Sequence, residues 1–240
     1  MRDSQPLSLS FSPLGDRGLL LEFSDSPDPQ VSARVRALAD YLQMHPLPGV
    51  TDIVPAFCSL ALHYDPEAWR DDEATAPYDS LISTLQQIVP LAGDVPQQAG
   101  EAIEIPVSYG AAFGEDLEPL AQAHRLTVDE AIAIHSSGTY TVYMLGFAPG
   151  FAYLGPLDPR LKVPRHPTPR TQVPAGSVAV ANAYTAIYPM ALPGGWHLIG
   201  RTPMRMFDAD RNPPSLLAAG DRVRFVPVSA AEFRNLEGRR

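Results

Sequence analysis

A chain of 240 residues can hold one large domain or two of ordinary size, and its 45% hydrophobic content supports a real core, which excludes disorder throughout. Its 27 acidic residues against 18 basic ones give a formal net charge of -9 with no run of charge that could act as a basic stripe, so no nucleic acid and no membrane surface is expected as a partner. One cysteine, Cys58, excludes an internal disulfide, and no Cys/His group has zinc spacing, so no metal is expected either.

The N-terminus, MRDSQPLSLSFSPLGDRG, lacks the apolar core of a signal peptide, and no stretch approaches the roughly 18 apolar residues of a membrane span. A cytoplasmic protein is the expectation. SLSFSPLGDRGLLLEF reads as a hairpin punctuated by Pro13, Gly15 and Gly18. In DPQVSARVRALADYLQMHP, Val31, Val35, Leu38 and Leu42 recur at helical spacing behind an Asp28-Pro29 start. VTDIVPAF and SLALHYDP follow as strands, and SLISTLQQIV as a helix with Leu81, Leu85 and Ile88 on one face. Residues 1–92 therefore read as an α+β unit, an open sheet with helices on one side.

PLAGDVPQQAGEA, with two prolines and two glycines, is the expected boundary. The second domain is expected over 101–230. It opens with the strand AIEIPVSY and the helices EDLEPLAQAHRL and TVDEAIAIHSS, the latter carrying a Thr127/Glu130 capping box. From Thr139 onward no further helix is expected. TYTVYMLGF, SVAVANAYTAIYPM, GWHLIGRTPMRMF and DRVRFVPVS are strand-like runs delimited by glycine or proline, the pattern of a β-barrel or sandwich.

Four stretches of this half hold more special residues than packing requires. In GFAPGFAYLG, Pro149-Gly150 breaks an apolar run, and Phe147, Phe151 and Tyr153 are either core or the lining of a pocket at a barrel mouth. DPRLKVPRHPTPRTQVPAGS has five prolines that cannot donate, and reads as a loop. Arg160, Arg165 and Arg170 project from it beside Lys162, the only lysine of the chain, either as a solvated face or as an anion site for carboxylate or phosphate. VPAGSVAV offers Gly176 and Ser177 for close backbone approach, and LPGGWHLIGRTP reads either as a tight turn with a core tryptophan or as a site offering Trp196, Arg201 and Thr202. His135-Ser136 at a helix end reads as a dipole contact rather than a catalytic pair, and Cys58 as core. No GxxxxGK[ST] motif is present to bind ATP.

Taken together, YTVYMLGFAPGFAYLGPLDPRLKVPRHPTPRTQVPAGSVAVANAYTAIYP and PGGWHLIGRTPMRMFD resemble the family that comprises allophanate hydrolase subunit 1, the Kip inhibitor and the B subunit of 5-oxoprolinase. The resemblance extends to LLLEF, LPGVTDIVPAFCSLALHYDP and PSLLAAGDRVRFVPV. It implies an α+β N-terminal domain followed by a cyclophilin-like β-barrel, similar to the first half of the carboxyltransferase region of urea amidolyase. It implies the B subunit of a 5-oxoprolinase, which opens 5-oxoproline to glutamate with subunits A and C, the C subunit being the matching half. No cofactor would be held by this chain alone, and ATP would be a cosubstrate of the assembled complex. The alternatives are an inhibitor of a sensor histidine kinase and an allophanate-type carboxyltransferase component. The site the resemblance implies comprises Phe147, Pro149, Gly150, Phe151, Tyr153, Arg170, Ser177, Trp196, Arg201 and Thr202. Where family members commonly read Gly-Gly-Gln-Thr-Gly this chain has Asn182-Ala183-Tyr184-Thr185-Ala186, so Tyr184 stands at a substrate-binding position. Ser108-Tyr109-Gly110-Ala111 replaces the usual Cys-Tyr-Gly-Gly.

Overall fold

The structure, a computed structural model, describes residues 9–26, 28–70, 75–92 and 100–238. It divides into two compact units, Met1–Gln98 and Ala99–Arg240. Most of the glycine- and proline-rich boundary stretch, residues 93–99, lies outside the described residues.

The first unit runs β1 (Ser10–Pro13), β2 (Gly18–Glu22), α1 (Pro29–Met44), β3 (Val50–Pro55), β4 (Ser59–Tyr64) and α2 (Pro77–Ile88). Its antiparallel sheet has the order β1-β2-β4-β3. Asp28 caps α1 by accepting from the Gln30 amide, with Pro29 in the first turn, where a missing N–H costs nothing. Val35, Leu38 and Leu42 of α1 and Leu81 and Leu85 of α2 meet Leu19, Leu21, Leu60 and Leu62 of the sheet in one buried cluster. Ile88, at the end of the α2 face, is only partly buried.

The second unit begins with β5 (Ile103–Tyr109), α3 (Leu117–Ala123), α4 (Val128–Ser137), β6 (Tyr140–Leu145) and β7 (Ala152–Gly155). It continues with β8 (Arg170–Val173), β9 (Ser177–Ala181), β10 (Tyr184–Ile187), β11 (Leu192–Gly194), β12 (His197–Arg201), β13 (Arg222–Pro227) and α5 (Ala230–Glu237). Seven strands close a barrel in the order β10-β7-β6-β13-β5-β12-β9, and β8 and β11 form a separate two-stranded ribbon. Ile105, Val107, Val142, Leu154, Val178, Val180, Ile187, Val223 and Phe225 alternate inward and share one core cluster. The Thr127/Glu130 capping box is present on α4, with both reciprocal bonds made.

Two expectations are corrected. A helix does follow the last barrel strand: α5 opens on a Ser229/Glu232 capping box and buries Phe233 against Phe113. The proline-rich stretch is not loop throughout, because its prolines leave Arg170–Val173 free to pair with β11. Arg170 therefore projects from a strand, not from a loop.

Candidate functional site

Alternation along the barrel wall makes a second, outward face. Ala179 and Ala181 of β9 and Ala186 of β10 are small and turned away from the barrel core, and the β8–β11 ribbon and a group of aromatics cover them. Phe151 is the hub of that group. Its ring centroid lies 4.9 Å from Tyr153, 5.1 Å from Tyr188, 5.3 Å from Phe147 and 6.2 Å from Trp196, mostly edge to face. Phe151 and Trp196 are buried, so they are packed core of this outer layer and not the lining of a barrel mouth. Tyr153 and Tyr184 are half-buried against the same layer, Tyr184 also standing edge-on to Tyr143.

The Pro149-Gly150 break turns the chain from β6 to β7. Gly150 has φ 77° and packs so closely on Met206 and Phe207 that a Cβ there would lie 2.7 Å from that of Phe207. Pro149 is exposed. Phe147 is 64% exposed and has φ 71°, a conformation that costs a bulky residue free energy. A strained aromatic presented to solvent beside a rigid aromatic cluster is a feature that folding alone does not require.

Beside Trp196 lies a charged group that the sequence did not reveal as a unit. The 110–116 segment lies against β12, with the Gly110 amide donating to the Ile199 carbonyl and the Asp116 amide to that of Leu198. Asp116 stands at the start of α3 without capping it. Its Oδ2 instead accepts from the Leu198 amide at 2.7 Å, and its Oδ1 from Arg170 Nη2 at 2.7 Å. Arg170 Nε contacts Glu115 Oε1 at 2.9 Å, and Nη1 reaches the Trp196 carbonyl at 3.4 Å. Burial would lower the guanidinium's pKa, but the hydrogen bond and charge of Asp116, with Glu115, raise it. The fork expected to hold a ligand anion is thus committed to the protein's own carboxylates. Arg165 of that stretch is exposed and outside those ion pairs, its guanidinium carbon 5.7 Å from the Trp196 ring centroid.

Two histidines complete the group. His166 and His197 rings lie 3.8 Å apart at 31°. His197 Nε2 is 2.9 Å from the Pro164 carbonyl, so that nitrogen carries the proton and donates. Burial lowers the His197 pKa, outweighing the bond to Pro164. His166 Nε2 is 3.5 Å from Asp116 Oδ2, within ion-pair range, yet it is shielded from solvent and makes no hydrogen bond.

A third element is a polar corner at the far end of β9. Ser177 and Arg201 face each other across the β9–β12 pairing. Ser177 Oγ and Arg201 Nε are both buried without a hydrogen-bond partner, although Ser177 is 1% exposed. Gly176, at φ 79°, accepts from the Thr202 amide and leaves no room for a side chain against that backbone. Thr202 is buried, its Oγ1 accepting from the Met204 amide. Arg201 lies over the Phe113 ring at 5.9 Å.

His135 has a different environment. It is buried in the barrel core between Tyr109, whose hydroxyl is 2.8 Å from Nδ1, and Thr185, whose Oγ1 is 3.0 Å from Nε2 and donates onward to the Ala179 carbonyl. Burial pushes its pKa down to about 3 and raises that of Tyr109 well above the usual phenol value. A cleft of about 240 Å³ lies in the first unit, between the end of α1 and β3, and holds only Asp52 as an ionisable group. It offers little chemistry.

Of the residues expected from sequence, Phe147, Phe151, Tyr153, Trp196 and Arg170 come together, and Ser177, Arg201 and Thr202 form their own corner. Sequence reasoning missed Asp116, Glu115, His166 and His197 as partners. The one available signal was His166 beside Arg165 in the proline-rich stretch.

A family model described as carboxyltransferase domain, subdomain C and D, matches residues 9–217. The chain is similar to the B subunit of 5-oxoprolinase from Bacillus subtilis (strain 168), at 40% identity over 223 residues, 92% of this chain and 93% of that protein. It is also similar to the B subunit of 5-oxoprolinase from Haemophilus influenzae, at 52% identity over 127 residues, 53% of this chain and 60% of that one. Among solved structures, TTHA0988 superposes with a TM-score of 0.75 at 39% identity, covering 89% of this chain. This chain spans only 40% of that one.

Proposed function

This chain belongs to the carboxyltransferase-domain family, subdomains C and D, and from that membership we propose that it is the B subunit of an ATP-dependent 5-oxoprolinase. The observation that carries the reading is the 40% identity to a 5-oxoprolinase B subunit along 93% of that protein's length. In this role the chain works with subunits A and C, the C subunit supplying the matching half of a site closed only on assembly. Opening the stable lactam of 5-oxoproline to glutamate is driven by ATP, and an activated intermediate must be kept from premature contact with water, which favours an enclosed shared site.

The chain's own residues have distinct parts in that scheme. The Ser177 hydroxyl and Arg201 guanidinium, each with an unused buried polar atom, receive an oxygen of the substrate carboxylate or of a transferred phosphoryl group. Arg170 acts indirectly: it fixes Asp116 and Glu115 rather than touching substrate. Phe147 offers an apolar rim that a partner or substrate covers on assembly.

The test is reconstitution. The purified chain with 5-oxoproline and ATP is expected to produce no glutamate, and activity is expected when subunits A and C are added. Turnover by the isolated chain would refute the shared-site reading, and a reconstituted complex inactive on 5-oxoproline would refute the substrate.

A further inference from the structure

The cluster of Asp116, His166 and His197 is not explained by ion pairing alone. Each residue offers one ligand atom, and the three atoms lie within 4.8 Å of one another. They come from three segments, the turn before α3, the proline-rich stretch and the start of β12, so no spacing motif could reveal them. We propose that Asp116, His166 and His197 form a three-ligand site for a divalent first-row transition ion of the zinc type.

The argument rests on which atoms are already committed. His197 donates Nε2–H to the Pro164 carbonyl, which leaves Nδ1 as its lone-pair nitrogen. A backbone carbonyl holding the distal N–H is how metal-ligating imidazoles are commonly oriented. Asp116 is similarly held: Arg170 binds Oδ1, the Leu198 amide binds Oδ2, and Oδ2 keeps a second lone pair. His166 Nε2 faces that oxygen at 3.5 Å, shielded from solvent and without a hydrogen bond. That separation is long for a hydrogen bond. It matches the edge of a tetrahedron about a cation with bonds of about 2.0 to 2.2 Å, which is roughly 3.3 to 3.6 Å. The backbone of His166 is anchored by its amide to the Gly195 carbonyl at 2.7 Å, which holds the ring beside Asp116.

The donor set selects the class of ion. Two imidazoles and a carboxylate suit zinc, cobalt, nickel or ferrous iron, whereas magnesium and calcium take oxygen ligands. Three protein ligands leave a coordination position open, the arrangement of sites that bind water or a substrate oxygen rather than of purely structural ones. Glu115 and Asp116 beside Arg170 leave the surroundings with one net negative charge before a cation enters, counting the histidines neutral. This site is independent of the substrate assigned above, and its test needs no turnover.

The untagged full chain, stripped with chelator, is titrated with cobalt(II) while visible ligand-field absorption is recorded, followed by displacement with zinc. One equivalent is expected to bind, zinc is expected to displace it, and magnesium at millimolar concentration is expected not to. His166→Ala and His197→Ala are each expected to weaken binding by more than about 100-fold, beyond the roughly 10- to 100-fold that loss of an outer-shell partner of a metal ligand costs. His45→Ala and His63→Ala, in the first unit, are expected to leave it unchanged. Zinc is expected to raise the melting temperature of the parent chain and not that of His166→Ala. His166 Nε2 makes no hydrogen bond, so this variant is expected to fold and decides the matter even where His197→Ala does not. Absence of a cobalt spectrum and of bound zinc in the parent chain overturns the proposal, as does undiminished binding by folded His166→Ala.

Discussion

Two of the histidine environments in the barrel unit, around His135 and around His166, differ in whether every polar atom has a partner. Around His135 the account closes: Tyr109, His135, Thr185 and the Ala179 carbonyl form one chain of donors and acceptors, and the ring stacks on Phe225 at 4.6 Å. Around His166 it stays open, with a solvent-shielded Nε2 near a carboxylate and bonded to nothing. A closed network holds a core in one arrangement; an open one beside surface arginines is what a binding site looks like before its ligand arrives. Burial of a histidine is therefore no guide to its role.

The comparison predicts its largest effect at His135. His135→Ala removes a packed ring and strands the Tyr109 and Thr185 hydroxyls, at an expected cost of about 3 to 5 kcal/mol in urea unfolding. His166→Ala is expected to cost less than about 1 kcal/mol, since Nε2 has no hydrogen bond to lose. Equal losses at the two positions would end the distinction.

A pH series sharpens it. The His135 pKa is about 3 when folded against about 6.5 when unfolded, so the unfolded chain binds the proton more readily. Its contribution is complete above about pH 6.5 and is lost as pH falls toward 3. From pH 7.5 to 5 the expected loss is about 2 kcal/mol, read as a falling urea midpoint. The lowered pKa of His197 adds a change of the same sign. His135→Ala should flatten most of this slope. A parent chain equally stable at pH 5 and 7.5 would show that His135 accepts a proton where it stands.

Arg170 tests the open region from its edge. Arg170→Lys keeps the charge but cannot bind Glu115 and Asp116 while also reaching the Trp196 carbonyl, and the expected cost is about 1 to 3 kcal/mol. The same variant should weaken cobalt binding modestly by loosening Asp116. Unchanged melting and unchanged cobalt affinity would make Arg170 a solvated surface residue.

How far the sequence disclosed these regions depended on the range of the interactions. Local signals were readable: the Asp28-Pro29 start of α1, the Thr127 capping box and the glycine-delimited strands of the barrel each depend on residues a few positions apart. The Ser229/Glu232 box of α5 carried the same signal and was legible, yet the strand-rich stretch before it masked the helix. Whether an aromatic lines a cavity or packs in a layer depends on which face of the barrel wall it occupies. Phe151 and Trp196, which residue types alone left open between core and pocket and which the resemblance placed in the site, are buried in that outer layer. The Asp116 group was illegible for a stronger reason. Its members are 50 and 31 residues apart, and Asp116 reads as an ordinary helix-start residue until its carboxylate is seen bonded to Leu198 and Arg170.

The smallest expected change in stability is at Ser177, and its smallness is informative. The hydroxyl is buried with no partner, while the backbone bonds of this residue, to Pro174 and Tyr188, do not involve the side chain. Ser177→Ala keeps the Cβ and removes an oxygen whose desolvation is unrecovered, so stability should change by no more than about 0.5 kcal/mol, with a slight gain the natural direction. Activity should behave otherwise. A hydrogen bond from this hydroxyl to a charged oxygen formed on the substrate contributes about 1.5 to 3 kcal/mol, so kcat/KM of the reconstituted complex should fall roughly 10- to 150-fold. Arg201→Lys, which loses Nε, should fall with it, and the double variant should fall by less than the product of the two because both act on one group. A stability loss above about 1 kcal/mol for Ser177→Ala would place Ser177 with His135, as part of a closed network completed by ordered water. Unchanged stability with unchanged kcat/KM would leave the Ser177–Arg201 corner without a substrate role and move the search for the anion contact to Arg165.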